Sequence, residues 1–129
     1  FPLRMGESQD VTTAVPFEDL LITDEPDPAA GPVAVELSYR IGVSDAADFL
    51  RAIEQLRAPR RRDGATFWRV YRDLSDPSRF VERFIVTSWA DYLHQRARGT
   101  LADLQLEEQL REHLLPGEAP STQHYIAER

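Results

Sequence analysis

The sequence contains no cysteine and no lysine, has a single methionine, and shows no long apolar run. Without cysteine, neither a disulfide framework nor a thiolate metal site can form, so the fold must be stabilised by packing. A membrane-spanning helix needs about 20 apolar residues. We therefore expect the 129 residues to form one soluble domain with one core.

Common catalytic motifs are also missing. The sequence has no phosphate-binding P-loop, no nucleophile elbow and no glycine-rich dinucleotide motif. The histidines, His94, His113 and His124, do not have the spacing of a helical zinc site. We therefore predict no catalytic residue, no metal and no cofactor.

The charge is distributed unevenly along the chain. The net charge is −7, but residues 1–32 hold seven acidic residues and one arginine, together with five prolines, while residues 33–129 are nearly neutral. This composition predicts an acidic, proline-rich linker at 1–32, with one apolar stretch at 15–22 that could dock on the domain. The lack of a basic excess argues against a nucleic-acid partner. The first residue is phenylalanine, so we expect the chain to be a piece of a longer protein.

Residues 60–89 predict a β-hairpin around which the domain is organised. The runs FWRVY and FVERFIV are rich in aromatic and β-branched residues, and DLSDPS between them is typical of a turn. Both strands carry apolar residues on both faces, so both faces need a cover. The chain has enough helices for one face, so we expect a second copy to cover the other.

The remaining elements complete a ferredoxin-like pattern. Residues 33–41 alternate as a strand, 44–57 have helical periodicity with Ser44 as N-cap and Pro59 as terminator, and 90–98 form a helix capped by Ser88. After an interruption at 99–100, a helix covers 101–115 and a strand covers 124–128. The order βαββαβ predicts an α+β, ferredoxin-like domain at 33–129, a four-stranded antiparallel sheet with helices on one face, which would pair as a dimeric α/β barrel.

Two groups of residues are candidate binding sites. Alternation along the first strand directs Glu36, Ser38 and Arg40 to the open sheet face, and we expect Trp68, Val70, Glu82 and Phe84 to line the same face. This set predicts either a ligand pocket or a dimer contact in which Glu36 and Arg40 form ion pairs across the interface. The second group is an anion-binding or lipid-facing cluster of Arg57, Arg60, Arg61 and Arg62, although such a run is also typical of a solvated loop.

The segments GPVAVELSYRI, RRRDGATFWRVYRDLSDPSRFVERFIVTSWADYL and STQHYIAE, within residues 31–128, resemble a known family. They are similar to the cytoplasmic C-terminal domain of bacterial major facilitator superfamily exporters of the transmembrane secretion effector family, including the enterobactin exporter group. The resemblance implies a dimeric α/β barrel at the cytoplasmic face of the inner membrane, tethered to a membrane-embedded part by residues 1–32. One departure is Arg96, which stands where the family often has histidine, while His94 lies earlier.

Three functions remain open at this point. The first is an accessory domain that dimerises or regulates an exporter of drugs or siderophores and has no chemistry of its own. The second is a cofactor-independent monooxygenase or haem-handling protein, with Trp68, Tyr71, Trp89, Tyr92 and His94 as candidates. The third is a sensor that binds a small molecule.

Overall fold

The computed structural model describes residues 22–129, so most of the predicted linker, including residues 15–21 of its apolar stretch, lies outside the described residues. The strands are β1 (Val33–Arg40), β2 (Phe67–Arg72), β3 (Arg79–Val86) and β4 (Ser121–Ile126). The helices are α1 (Ala46–Glu54), α2 (Arg57–Arg62), α3 (Trp89–Ala97) and α4 (Leu101–Arg111), and a 3-10 turn at Val43–Asp45 precedes α1.

The four strands form one sheet in the order β2-β3-β1-β4, in which every neighbouring pair is antiparallel. This is the strand order of the split βαβ arrangement, so the predicted ferredoxin-like α+β fold is confirmed. The hairpin is confirmed as well. Its turn at 73–78 is held by two aspartates, because Asp73 Oδ1 accepts from the Ser75 amide (2.8 Å) and Asp76 Oδ1 from the Ser78 amide (3.1 Å).

The core lies between one face of the sheet, here called the inner face, and the helices. Alternate residues of β1 and β3 are buried in register there: Val33 opposite Val86, Val35 opposite Phe84, and Tyr39 opposite Phe80. They pack in one cluster with Phe49 and Ile53 of α1, Trp89 and Tyr92 of α3, and Leu110 of α4. No helix within residues 22–129 covers the opposite, outer face, on which Tyr71 (41% exposed) and Tyr125 (50% exposed) lie.

Both predicted boundaries of the first helix are wrong. Pro59 does not end a helix, because α1 ends at Glu54 and Pro59 lies in the first turn of α2, where its missing N–H costs no hydrogen bond. Ser44 does not cap α1 either. The N-cap position belongs to Asp45, whose side chain makes no capping hydrogen bond.

The other helix starts follow local rules more closely. Ser88 caps α3 as predicted, with its Oγ accepting from the Asp91 amide at 3.1 Å. Thr100, expected only to interrupt a helix, begins α4 with a full capping box to Asp103. At the C-terminal side, α4 ends at Arg111 rather than 115, and β4 covers Ser121–Ile126 rather than 124–128.

Residues 25–32, here called the docked segment, pack against the start of α3. The Trp89 amide donates to Ala30 O (2.8 Å), the Ala90 amide donates to Pro28 O (2.9 Å), and Trp89 Nε1 donates to Glu25 Oε2 (2.9 Å). Gly31 lies so close to the backbone before α3 that a Cβ atom would be 2.1 Å from Thr87 O. The docked segment therefore supplies partners for helical amides that would otherwise lack one.

Candidate functional site

The seven residues predicted to line one pocket lie on two opposite faces of the sheet. Glu82 and Phe84 of β3 lie on the inner face, because they pair with the inner residues Leu37 and Val35 of β1. On β2, Val70 pairs with Glu82 and Trp68 with Phe84, so these two residues lie on the inner face as well. Glu36, Ser38 and Arg40 alternate with the inner residues of β1 and lie on the outer face. The prediction that all seven residues share one face is therefore wrong. Alternation within each strand shows which residues share a face of that strand, but the register between strands decides which of those faces coincide.

The three outer-face residues have partners within the chain. Arg83 Nε donates to Glu36 Oε2 at 2.9 Å, Arg79 Nη2 donates to Ser38 Oγ at 3.0 Å, and Arg40 forms an ion pair with Asp76. Their polar groups are therefore satisfied without a second subunit. An ion pair across an interface is not required to explain Glu36 or Arg40.

Glu82 is a fully buried carboxylate, with 0% of the residue exposed. It accepts from Arg60 Nε (2.8 Å) and Nη2 (3.2 Å), from Trp68 Nε1 (2.8 Å) and from the Tyr39 hydroxyl (3.3 Å). Burial opposes the charge on Arg60, but the attraction of Glu82 outweighs it and raises the pKa of Arg60. Burial first, and then the charge of Glu82, raise the pKa of Tyr39 well above its ordinary value.

The four arginines of the predicted anion-binding cluster do not converge. Arg60 points into the core towards Glu82, and Arg57 pairs with Glu54 (Nε to Oε2, 2.6 Å). Arg62 pairs with Asp63 (2.8 Å) and Asp103 (2.6 Å). Arg61 is exposed. Since three of the four guanidinium groups each have a carboxylate partner, they do not form one anion-binding surface.

A cavity of about 440 Å³ lies between the inner face and helices α2, α3 and α4. This volume falls in the range of small-molecule sites, roughly 300 to 1,000 Å³. Its wall combines apolar and polar side chains, among them Val35, Leu37, Leu56, Arg60, Tyr92, Gln95, Arg96, Leu104, Glu107, Thr122 and His124. Of the residues predicted for the two binding sites, Arg60 and Phe84 line this cavity.

Gln95 lines the cavity and carries a buried, unpaired donor. The residue is 7% exposed, and its Nε2 atom has no hydrogen-bond partner among residues 22–129. Leaving such a donor unpaired costs about 1 to 3 kcal/mol. Because that atom has less than 1 Å² of accessible surface, a molecule in the cavity does not touch it in this arrangement.

Tyr92 and His124 form a hydrogen-bonded pair on the same wall, with the Tyr92 hydroxyl 2.8 Å from His124 Nε2. Burial, and secondarily the positive charge of Arg96, lower the pKa of His124. The neutral imidazole carries one proton, so Nε2 accepts from the Tyr92 hydroxyl in one tautomer and donates to it in the other. The site therefore holds a neutral histidine oriented by a tyrosine.

Sequence reasoning missed Gln95 and His124. A detectable signal was present, since Tyr92 and Gln95 follow Trp89 at intervals of three residues and so lie on the buried face of α3, where a polar residue needs an explanation. Of the five residues considered for an enzyme, Tyr92 lines the cavity, whereas His94 is exposed and Tyr71 lies on the outer face.

A metal-binding cluster and a membrane-spanning helix are both absent from residues 22–129. No group of three or more histidine, aspartate or glutamate side chains there is placed to hold a metal ion. No helix in the same range combines the length and the apolar composition needed to cross a bilayer.

Comparison with known sequences gives one match. The family model described as transmembrane secretion effector matches residues 1–129. A comparison with curated proteins found no match.

Similar solved structures include candidate antibiotic biosynthesis monooxygenases and an oxygenase. One candidate monooxygenase, from Caulobacter crescentus, has a TM-score of 0.65 and 16% identity over 78% of this chain and 93% of its own. Another, from Nitrosomonas europaea, has a TM-score of 0.63 and 14% identity over 77% and 92%. A variant of SnoaB, a cofactor-independent oxygenase from Streptomyces nogalater, has a TM-score of 0.62 and 14% identity over 75% and 93%. At these identities the similarity shows a shared fold.

Proposed function

Because the chain belongs to the transmembrane secretion effector family, we propose that it is a ligand-sensing accessory domain of a major facilitator superfamily exporter of drugs or siderophores, with no reaction of its own. In this proposal it lies at the cytoplasmic face of the inner membrane and is joined to the membrane-embedded part through its N-terminal residues. The observation that carries the proposal is the cavity of about 440 Å³ between the inner face and helices α2, α3 and α4, whose wall combines apolar and polar side chains.

The position of α3 supports a regulatory role. This helix contributes Tyr92, Gln95 and Arg96 to the cavity, and its first residues bind the docked segment. Trp89 connects the two regions, because its Nε1 donates to Glu25 and its ring centroid lies 5.5 Å from that of Tyr92. A ligand that shifts or rigidifies α3 would therefore change how firmly residues 25–32, the last part of the predicted linker, are held.

We also propose that the outer face pairs with the outer face of a second copy. Tyr71 and Tyr125 are exposed there, and Val81, at the centre of the face, is paired with Tyr71 and Ser38 on the neighbouring strands. Phe67 and Ile85 pair beside them, and no helix within residues 22–129 covers this apolar strip, which is typical of an interface. Sedimentation of the chain tests this part, and a strict monomer at high micromolar concentration would contradict it.

The sensing role is tested by a thermal-shift screen with compounds that the exporter transports. A ligand at 100 times its dissociation constant should add about 2.7 kcal/mol to the free energy of unfolding. The same compound should change the transport rate of the exporter, and Gln95→Leu should weaken that response. A flat screen together with an unchanged response in the variant would refute the proposal.

A second candidate function is a cofactor-independent oxygenase, and the Tyr92–His124 pair favours it. In the tautomer whose Nε2 donates to the Tyr92 hydroxyl oxygen, the Nδ1 lone pair of the neutral His124 can accept a proton from a bound phenol, which is the first step that such chemistry needs. Incubation with a polycyclic phenol in air, followed by oxygen consumption, tests it. Turnover that disappears in His124→Gln would support this function, and no turnover would remove it.

A further inference from the structure

We propose that residues 15–21, VPFEDLL, bind as an added strand, antiparallel to β2, at the edge of the sheet. They belong to the apolar stretch noted in the sequence and lie outside the described residues. Their binding surface is a groove along β2, here called the edge groove, which is lined by residues 66–70 and by side chains of α1 and α2. The edge groove shares no lining residue with the ligand cavity, so this proposal is independent of the sensing function.

The shape of the edge groove suits an extended peptide. Within residues 22–129, β2 is an edge strand whose neighbour in the sheet is β3. The groove has a volume of about 340 Å³, and five consecutive residues, 66–70, line it. Because consecutive side chains of a strand point to opposite faces, a groove lined by all five runs along the backbone at the edge. Backbone N–H and C=O groups that point away from β3 are available there to another strand.

The edge groove has an excess of positive charge. Its charged side chains are Glu54, Arg57, Arg61 and Arg69. Glu54 is paired with Arg57 (Oε2 to Nε, 2.6 Å), whereas Arg61 and Arg69 are exposed and have no carboxylate partner within residues 22–129. A peptide that adds to this edge should therefore carry negative charge on both of its faces, since Arg61 belongs to α2 on the inner side and Arg69 alternates with inner residues of β2.

Residues 15–21 have this pattern of charge. Glu18 and Asp19 are adjacent and are the charged residues of the segment, so in a strand one carboxylate points to each face. Apolar residues flank the two acids on both sides, and Leu50, which is 43% exposed, offers apolar surface on the helix side of the groove. Pro16 lacks an N–H, which an edge strand tolerates.

The chain is long enough to bring the segment to the groove. Glu25 is bound to Trp89 at the start of α3, shortly after β3 ends, and Phe67 at the start of β2 pairs with Ile85 near that same end of β3. Residues 21 to 25 span up to about 13 Å when extended, against about 5 Å between neighbouring strands. Since residue 21 arrives at the start of β2 and residue 15 lies further along, the added strand runs antiparallel to β2.

A second copy fits the edge groove less well. Pairing of β2 with the β2 of another copy would bring two surfaces with unpaired arginines together, and like charges on neighbouring strands are destabilising. The acidic segment of the chain itself meets no such repulsion.

A spin label on the full chain tests the proposal. The sequence has no cysteine, so Thr13→Cys carries a single nitroxide two residues before the segment. In NMR spectra the label should broaden the amide signals of β2, most strongly beyond Val70, and leave those of β4, at the opposite edge of the sheet, sharp. A spin-labelled chain mixed with an isotope-labelled chain that lacks the nitroxide should broaden nothing in the latter, because the segment binds within its own chain.

Exchanging the charges separates specific docking from loose attraction. Glu18→Lys with Asp19→Lys should abolish the broadening of β2, and so should Arg61→Glu with Arg69→Glu, because each pair of changes places like charges together. All four changes combined should restore it. The control Glu7→Lys with Asp10→Lys alters the net charge equally but lies before the segment, so the broadening should persist.

Four results would overturn the proposal. They are sharp β2 signals in the natural sequence with the label, equal broadening of β2 and β4, broadening that survives either charge exchange, and failure of the fourfold variant to restore it although its spectrum shows a folded domain. Broadening between chains in the mixed sample would also overturn it, since the segment would then come from a second copy.

Discussion

Replacing Glu82 by glutamine should lower the free energy of unfolding by about 3 kcal/mol, because the substitution removes one partner of a buried ion pair. Glu82 is fully buried, and the side chain of Arg60 is 15% exposed, so water can do little to replace the lost charge. The glutamine keeps an oxygen that can accept from Trp68 or Tyr39. Glu107 lies 3.7 Å from Arg60 and offsets part of the loss, which places the effect at the lower end of the range of about 3 to 5 kcal/mol.

Leucine at the same position should cost more, about 5 kcal/mol, because Tyr39 and Trp68 then lose their acceptor as well. Urea unfolding followed by far-UV circular dichroism measures both variants, and the double variant Glu82→Gln with Arg60→Met isolates the charge. We expect the double variant to recover part of the stability lost in Glu82→Gln. A loss below 1 kcal/mol in Glu82→Gln, or equal effects of glutamine and leucine, would refute the reasoning.

Three further predictions concern the docked segment, the histidine and the outer face. Gly31→Ala should detach the docked segment, because the new Cβ would lie 2.1 Å from Thr87 O. Proteolysis near residue 31 should therefore accelerate. In the control variant Gly42→Ala the new Cβ meets only a side chain, at 3.4 Å, so proteolysis should not accelerate. Folding lowers the pKa of His124 from its ordinary 6.5, so the unfolded chain takes up the proton at a higher pH than the folded chain does. The contribution of His124 to the free energy of unfolding is therefore fully present above about pH 6.5 and should decline as the pH falls. In urea titrations His124→Gln should flatten this decline, and an identical pH dependence in the variant would contradict the prediction. Val81→Asp should convert the proposed dimer to a folded monomer in sedimentation, and an unchanged dimer would place the interface elsewhere.

The elements of the fold were predictable where a local pattern decides the structure. Strict alternation identified β1, and the aromatic runs on either side of DLSDPS identified β2, β3 and their turn. The prediction that Pro59 ends a helix was wrong, because the sequence alone does not distinguish a proline in the first turn of a helix from a proline that terminates one. The start of α4 was not predicted, because Thr100 follows a glycine and was interpreted only as part of an interruption, although it forms a capping box with Asp103.

The site was less predictable, because it depends on register and on distant contacts. Alternation shows that a strand has two faces, but pairing with β1 decides that Glu82 and Phe84 lie on the inner one. Glu82 was predicted to line the open face together with Glu36, whereas it is buried on the inner face, and its partner Arg60 lies 22 positions earlier in the sequence. The cavity itself arises where α3 and α4 stand away from β1 and β4, and no local pattern encodes that separation.

The central claim is that a ligand in the cavity strengthens the docking of residues 25–32 on α3. Hydrogen exchange of the Trp89 and Ala90 amides tests it most directly, since these amides donate to Ala30 O and Pro28 O. With a compound identified in the thermal-shift screen saturating the cavity, their exchange should slow, while the Thr66 amide, bonded to Ile85 O at the far edge of the sheet, should change little. Unchanged exchange at Trp89 and Ala90 in the saturated protein would contradict the account.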